Sequence, residues 1–263
     1  MSEPLKITTA LGKAELHRIL VRGYDLTEEL LGKITFSQMT FLMLTGRMPT
    51  PGQTRMIDAL LTVLVEHGMV SSVIAARVTY HTAPEAIQGA VAAAILGAGS
   101  VHLGSSEWSA QMLQEALPQA TRDADLDAIA TSVVERYEER KQRIPGIGHR
   151  THAEGDPRAD KLFQIARETQ VYGRYCDLLQ RISRTAEARR GRRLPVNVTG
   201  AIAAIASDMG LPWPMSKAFA IIGRTLGALA HIGEEIQKPM ARNIDAAIKA
   251  ALVYETDEKT KHD

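Results

Sequence analysis

A segment rich in glycine and histidine carries the residue types best suited to chemistry. It spans residues 141–158 and contains three glycines, two prolines and two histidines between two helix-forming stretches. Gly146 and Gly148 directly precede His149, and glycine permits positive φ and close backbone approach. The segment is therefore predicted to be a loop that presents the His149 imidazole. An ordinary solvated loop between helices is the alternative interpretation.

A second histidine in this segment raises the question of a metal site. His152 follows His149 by three residues and lies beside Glu154 and Asp156. A zinc site needs three or four protein ligands in a fixed geometry, and this loop offers no convincing third and fourth ligand. The sequence therefore predicts no metal. Asp156 is instead predicted to cap a helix that begins at Pro157.

The other histidines are less distinctive on residue type alone. His67, His102 and His231 are isolated in sequence, so we first interpret them as core or cap histidines rather than catalysts. A basic run lies further along the chain, and by composition it could meet RNA or form a solvated face. Its members are Arg181, Arg184, Arg189, Arg190, Arg192 and Arg193.

The elements around these residues are predicted to be helices. Ser37 is predicted to cap a helix that Gly46 ends, and Thr50 with Pro51 opens another that continues to Gly68. Residues 215–237 are apolar nearly all round, which predicts a central buried helix. No sustained alternation of apolar and polar residues is present, so we expect no β-sheet. The predicted fold class is all-α.

Composition excludes several classes of protein. The chain has 263 residues, with 31 basic against 30 acidic side chains, so no global field attracts nucleic acid or an anionic membrane. One cysteine, Cys176, cannot form an internal disulfide and fits a reducing compartment. Lysines and a glutamate interrupt the N-terminal region, and the apolar run 218–232 carries Arg224 and His231. We expect a soluble cytoplasmic protein.

Five segments, taken in order along the chain, form a specific combination of motifs. They are EHG at 66–68 with SS at 71–72 and AARV at 75–78, GSVHLG at 99–104, PGIGHR at 145–150 with DPR at 156–158, LPVNVTGA at 194–201, and IGRTLG at 222–227 with AH at 230–231. Together they resemble the citrate synthase superfamily. The likeness covers roughly residues 20–240, and the N-terminal region is most similar to the citryl-CoA lyase branch, which includes the C-terminal module of ATP-citrate lyase.

This resemblance implies an architecture. Members of the superfamily are all-α homodimers in which each subunit has a large and a small domain, with the active site in the cleft between them. By position, the large domain would comprise residues 1–104 together with 213–263. The small domain would comprise residues 105–212.

The resemblance also implies roles for particular residues. His149 would polarise or protonate the oxygen on the carbon where the C–C bond forms or breaks, and His102 would stabilise the thioester enol. Substrate carboxylates would be bound by His67, Arg158 and Arg224, and bidentate arginine geometry suits this task. Coenzyme A would contact Pro145, Gly146, Ile147, Gly148, Arg150 and Arg193. Of the possible roles of the basic run, contact with the phosphates of coenzyme A fits best with its position just before Asn197.

Two positions depart from the superfamily pattern. Thr199 stands where an aspartate moves the proton at the thioester α-carbon, and a hydroxyl cannot act as a general base near neutral pH. Lys238 stands before Pro239 where the superfamily has an arginine that reaches the neighbouring subunit's site. Lysine keeps the charge but loses the planar fork, and Arg242 lies nearby.

Three functions follow from the resemblance. The first is an acyl-CoA carbon–carbon lyase, which cleaves citryl-CoA to acetyl-CoA and oxaloacetate or a related 3-hydroxyacyl-CoA. The second is citrate synthase-type condensation or CoA-thioester hydrolysis. The third is a non-catalytic protein that binds CoA esters. Joint retention of five residues favours an enzyme over the third function: His67, His102, His149, Arg158 and Arg224. The expected ligands are an acyl-CoA substrate and a 2-oxo acid, with no separate cofactor.

Overall fold

The computed structural model describes residues 6–118, 123–148 and 154–255. Its backbone is mainly helical, which confirms the all-α class. The strands are β1 (Gly12–Ala14), β2 (Ile19–Val21) and β3 (Tyr24–Asp25). The helices are α1 (Phe36–Thr45), α2 (Pro51–Thr62), α3 (Ser71–Thr82), α4 (Ile87–Ala116), α5 (Leu126–Glu139), α6 (Pro157–Glu168), α7 (Arg174–Arg190), α8 (Val198–Asp208), α9 (Ala218–Gln237) and α10 (Ala241–Ala251).

A small sheet precedes the helices, so the prediction of no β-sheet was wrong. β1, β2 and β3 pair antiparallel in that order. Arg22 and Gly23 join β2 to β3 and both have positive φ, 51° and 88°, as a two-residue type I′ turn requires. The strands are two or three residues long. Such short strands cannot display the alternation by which a strand is predicted.

The helix ends show how local chemistry sets the element boundaries. Thr35, and not the predicted Ser37, caps α1 in a capping box with Gln38, and Gly46 ends the helix at φ 79° as predicted. Thr50 caps α2 with Pro51 at its first position, also as predicted. This second helix ends at Thr62, several residues before the predicted stop at Gly68.

The described chain forms two compact units. The first unit contains the chain up to Leu64 together with Ser100–Ala220, and the second contains Val65–Gly99 together with the chain from Ile221 onward. The chain passes from the second unit to the first after Gly99, where α4 has non-helical dihedral angles (φ 49°). The division into domains 1–104 with 213–263 and 105–212 remains a prediction.

The first unit is built around α8. Residues Ala201–Ala206 of this helix are fully buried, and α8 packs against α6 and α7 while α5 packs against α7. Of the helices described, α8 is the most buried. Burying each large apolar side chain contributes about 1.5–3 kcal/mol, so this helix stabilises the first unit. The prediction for residues 215–237 was wrong in this respect, because α9 exposes Leu226, Leu229 and Ile236.

The second unit has a smaller core made mostly of small side chains. Ala76, Ala90, Ala94, Ala228 and Ile232 pack together from α3, α4 and α9. In the described part of the chain, no single helix is both long and apolar enough to cross a bilayer, and only the two halves of α4, bent by 48° from each other, meet both criteria together.

Candidate active site

The glycine loop, residues 145–148, is held against the residues that lead into α8. The Gly148 amide donates to the Pro195 carbonyl (2.7 Å), and the Asn197 amide donates to the Gly146 carbonyl (3.0 Å). Gly146 and Gly148 have positive φ, 87° and 76°, which confirms the prediction from their residue type. This pairing sets the direction in which the chain leaves toward His149. His149, Arg150 and His152 lie outside the described residues.

The glycine loop approaches α8 so closely that side chains are excluded. A Cβ atom on Gly200 would collide with the Gly146 carbonyl oxygen, and one on Gly146 would lie 2.9 Å from the Gly200 Cα and collide with the Ser109 hydroxyl. The buried Ser109 hydroxyl has no hydrogen-bond partner among the described residues. Two glycines therefore bring the loop backbone and the start of α8 into direct contact.

The start of α8 places Thr199 beside the glycine loop. Asn197 caps the helix through its side-chain oxygen, which accepts from the Gly200 amide (3.0 Å) and from the Thr199 hydroxyl (2.7 Å). The Asn197 side-chain amide donates to the Gly148 carbonyl (2.9 Å). Because the Thr199 hydroxyl proton is directed to Asn197, the lone pairs of this oxygen can act only as acceptors toward another group.

Asp156 joins α6 to the same region. It caps α6 as predicted, and its buried carboxylate also accepts from the Val198 amide (2.9 Å) at the start of α8. Arg158 donates to both carboxylate oxygens through Nε (3.0 Å) and Nη2 (2.9 Å). Burial by itself would raise the pKa of Asp156, but the hydrogen bonds from Arg158 and Val198 outweigh it and lower that pKa. Asp156 thus fixes both the Arg158 fork and the helix that carries Thr199.

Much of the basic run is neutralised by carboxylates. Arg181 pairs with Asp127 and Asp177, and Arg189 pairs with Glu135 and Glu138. Arg190 and Arg193 also pair, with Glu138 (3.6 Å) and Glu187 (3.5 Å) respectively. These exposed pairs contribute little to stability. Arg193, at the end of the run nearest Asn197, is the residue that the family resemblance predicts to contact coenzyme A.

The second unit carries a separate group of polar residues. The Glu66 carboxylate pairs with the His231 Nε2 (2.8 Å) and accepts from the Gly68 amide. Burial would raise the pKa of Glu66, but these hydrogen bonds from Gly68 and His231 outweigh it and lower that pKa. Next to Glu66 in the chain, His67 is exposed. The sequence motifs contained Glu66 and His231 without indicating that the two residues meet.

A cavity of about 540 Å³ lies beside this pair and is lined by charged and polar side chains. Lys238 lies at its edge, in the connector between α9 and α10. Arg224 is partly buried, about two helical turns before His231 on α9, and both His67 and Arg224 have interaction partners. The lining residues are Glu66, Ala230, His231, Gly233, Glu234, Gln237 and Lys238.

The structure groups the predicted residues by unit. In the first unit, Arg158, Thr199 and residues 145–148 lie around the start of α8, and Arg193 lies shortly before it in the chain. In the second unit, Lys238 lines the cavity beside Glu66, the chain neighbour of His67. The side chain of His102 is outside the described part of the chain. Among the described residues, no cluster of histidine, cysteine, aspartate and glutamate is arranged to hold a metal ion.

Comparison with known families identifies the chain. The model of the citrate synthase C-terminal domain matches residues 35–244, which is most of the sequence. The chain belongs to the citrate synthase family. This citrate synthase family member is 28% identical to the citrate synthase of Synechocystis sp. over 210 residues, 78% of this chain and 50% of the relative. It is 32% identical to a putative citrate synthase 2 of Mycobacterium tuberculosis over 196 residues, 71% of this chain and 49% of the relative.

Solved structures agree with this assignment. The citryl-CoA lyase of Hydrogenobacter thermophilus superimposes with a TM-score of 0.85 at 34% identity, covering 95% of each chain. A mutant ATP citrate lyase of Methanosaeta concilii, in complex with (3S)-citryl-CoA, gives a TM-score of 0.72 at 17% identity and covers 98% of this chain but 43% of its own. The chain thus spans about half the length of the citrate synthases it matches and nearly all of the citryl-CoA lyase.

Proposed function

We propose that this family member cleaves the carbon–carbon bond of citryl-CoA, or of a related 3-hydroxyacyl-CoA, to give acetyl-CoA and a 2-oxo acid. The observation that carries the proposal is the similarity to a citryl-CoA lyase at 34% identity over 95% of both chains. The Thr199 hydroxyl is bonded to Asn197 at the position where the family has an aspartate base, so solvent takes over the proton transfer at the thioester α-carbon.

The proposed reaction begins at the substrate hydroxyl. His149 takes the hydroxyl proton as the C–C bond breaks, and the hydroxyl-bearing carbon becomes the carbonyl of oxaloacetate. The bonding electron pair moves to the thioester as an enolate, which His102 stabilises. Solvent protonates the enolate carbon to give acetyl-CoA, and His149 returns its proton to solvent.

The remaining residues bind rather than transfer protons. His67, Arg158, Arg224 and Lys238 bind the substrate carboxylates, since charge-assisted hydrogen bonds from a positioned guanidinium are among the stronger polar contacts. Coenzyme A lies along residues 145–148, with Arg150 and Arg193 near its phosphates. The Asp156 carboxylate supports this role by holding Arg158 in one orientation.

Condensation is the second candidate, because the sequence relatives are named citrate synthases. It requires removal of a weakly acidic α-proton from acetyl-CoA, for which threonine is not a base. A general base typically contributes 10²–10⁴-fold to a rate. Because cleavage and condensation are the two directions of one reaction, a missing base slows both, and it is the similarity to a citryl-CoA lyase that favours cleavage.

An assay of products from citryl-CoA tests the proposal. Cleavage gives acetyl-CoA and oxaloacetate, and oxaloacetate is followed by its coupled reduction with malate dehydrogenase. Thioester hydrolysis would instead give citrate and free coenzyme A without oxaloacetate. We expect oxaloacetate and acetyl-CoA in equal amounts. Free coenzyme A without oxaloacetate, or no turnover with tight binding of citryl-CoA, would contradict the proposal.

A further inference from the structure

A buried ion pair holds the connector between α9 and α10. Arg77 of α3 and Glu235 of α9 are 3% and 2% exposed at their side chains, and the Arg77 Nε donates to the Glu235 carboxylate at 2.7 Å. Arg77 Nη1 also pairs with the more exposed Glu234 at 2.7 Å. All these residues belong to the second unit. The pair joins helices whose residues are 158 positions apart in the sequence.

The Glu235 carboxylate has a second task at the start of α10. Its oxygens accept from the amides of Met240 (2.9 and 3.1 Å) and Ala241 (3.0 Å). The residue at the cap position of α10, Met240, provides no side-chain acceptor. Glu235 therefore satisfies amides that a capping side chain would otherwise bind. Burial would raise the pKa of Glu235, but the hydrogen bonds from Ala241, Arg77 and Met240 outweigh it and lower that pKa.

The third donor of Arg77 reaches the connector itself. Arg77 Nη2 donates to the carbonyl of Lys238 at 3.2 Å, while the Lys238 amide donates to the Glu234 carbonyl at 2.7 Å. The backbone of Lys238 is thus bound on both sides. Its side chain extends to the cavity that Glu66 and His231 line.

The chemistry of this arrangement favours a specific role over general stabilisation. A buried ion pair often contributes no more stability than apolar residues of the same volume. A guanidinium, however, offers donors in a rigid fork and can bind Glu234, Glu235 and the Lys238 carbonyl at once. A lysine at position 77 would be a point charge without that fork, so it could not hold all three acceptors in the same geometry.

We propose that Arg77 and Glu235 are positioning residues that fix the backbone of Lys238 and direct its ammonium group toward a substrate carboxylate. The inference rests on the proposed function, which assigns carboxylate binding to Lys238. Arg77 and Glu235 act through Lys238 and do not themselves contact the substrate.

Hydrogen exchange tests the positioning without any activity. In the unaltered chain, the amides of Met240 and Ala241 should exchange as slowly as those in the middle of α9. Arg77→Lys and Glu235→Gln should both speed this exchange by tenfold or more. Unprotected amides in the unaltered chain would overturn the proposal even if neither variant folds.

Kinetics with citryl-CoA tests the link to Lys238. Arg77→Lys should raise KM about tenfold with little change in kcat, as expected for lost binding that is equal in ground and transition states. In a Lys238→Ala background, Arg77→Lys should cause no further rise in KM. Arg55→Lys, which alters an exposed pair with Glu168 in the first unit, is the matched control and should leave both constants unchanged.

The hydrogen-exchange and the kinetic experiments test different parts of the proposal. A KM unchanged in Arg77→Lys, or a further rise in the Lys238→Ala background, would show that the pair does not act through Lys238. Absence of cleavage by the unaltered chain contradicts the proposed function instead. In that case hydrogen exchange at Met240 and Ala241 still decides whether Arg77 and Glu235 hold the connector.

Discussion

The Thr199 hydroxyl donates to the side-chain oxygen of Asn197 at 2.7 Å, and the side-chain amide of Asn197 donates to the Gly148 carbonyl at 2.9 Å. One asparagine therefore joins the start of α8 to the residue that precedes His149. This connection makes Asn197 a positioning residue for the glycine loop, and it leaves the Thr199 oxygen able to accept a hydrogen bond but not to donate one.

Replacement of Asn197 separates its two tasks. Asn197→Ala removes both the cap and the bond to Gly148, and loss of a cap costs about 0.5–2 kcal/mol. Asn197→Ser keeps a capping oxygen but cannot reach the Gly148 carbonyl. We expect the serine variant to retain most of its thermal stability while its kcat for citryl-CoA cleavage falls at least tenfold. Equal kcat in Asn197→Ser and the unaltered chain would show that the Gly148 contact has no functional role.

Gly200 tests the close approach of the glycine loop to α8. In Gly200→Ala the new methyl group would meet the Gly146 carbonyl, so the loop must move. Overpacking of this kind typically costs about 1–3 kcal/mol. Gly155→Ala, at a position where a Cβ would meet no atom of the described residues within 4 Å, is the matched control. Urea unfolding should show a clear loss for Gly200→Ala only, and similar midpoints for the two variants would argue against the tight contact.

Stability should depend on pH through Asp156. Its pKa in the folded chain is lowered from 3.8, so the unfolded chain binds more protons as the pH falls. The stability that this carboxylate contributes is therefore present above 3.8 and is lost as the pH falls through the folded pKa. The difference in unfolding free energy between the unaltered chain and Asp156→Asn should be constant above about pH 5 and should shrink as the pH falls from about 5 to about 2. A constant difference over that range would contradict the assignment.

Features set by near neighbours in the chain could be predicted from the sequence. Asp156 caps α6 and Gly46 ends α1 because both depend on residues within one turn. The positive φ of Gly146 and Gly148 could be predicted as well, because it depends only on the residue type. The cap of α1 was misplaced by two residues because Thr35 and Ser37 are both good caps, and the Gln38 partner decides between them.

Features set by distant residues could not be predicted. The Glu66–His231 pair joins positions 165 residues apart, and its members carry no pattern that specifies the contact. The Arg77–Glu235 pair joins positions 158 residues apart. Glu235 caps α10 in place of a capping side chain at Met240, so no local pattern marks the start of that helix. The exposed apolar side chains of α9 were assigned to the core because periodicity does not show what covers a helix.

The central claim is that this chain cleaves citryl-CoA with a threonine in place of the family's aspartate base. The most direct measurement follows the acetyl-CoA and oxaloacetate that the unaltered chain, Thr199→Asp and Thr54→Asp release from citryl-CoA. Thr54→Asp, also in the first turn of a helix, controls for an added carboxylate. We expect the unaltered chain to release both products in equal amounts. Thr199→Asp should raise kcat/KM by about 10²-fold or more in the cleavage and the condensation direction alike, because both directions pass through one transition state, and Thr54→Asp should leave it unchanged. Release of free coenzyme A without oxaloacetate, or a kcat/KM that Thr199→Asp does not raise, would contradict the account.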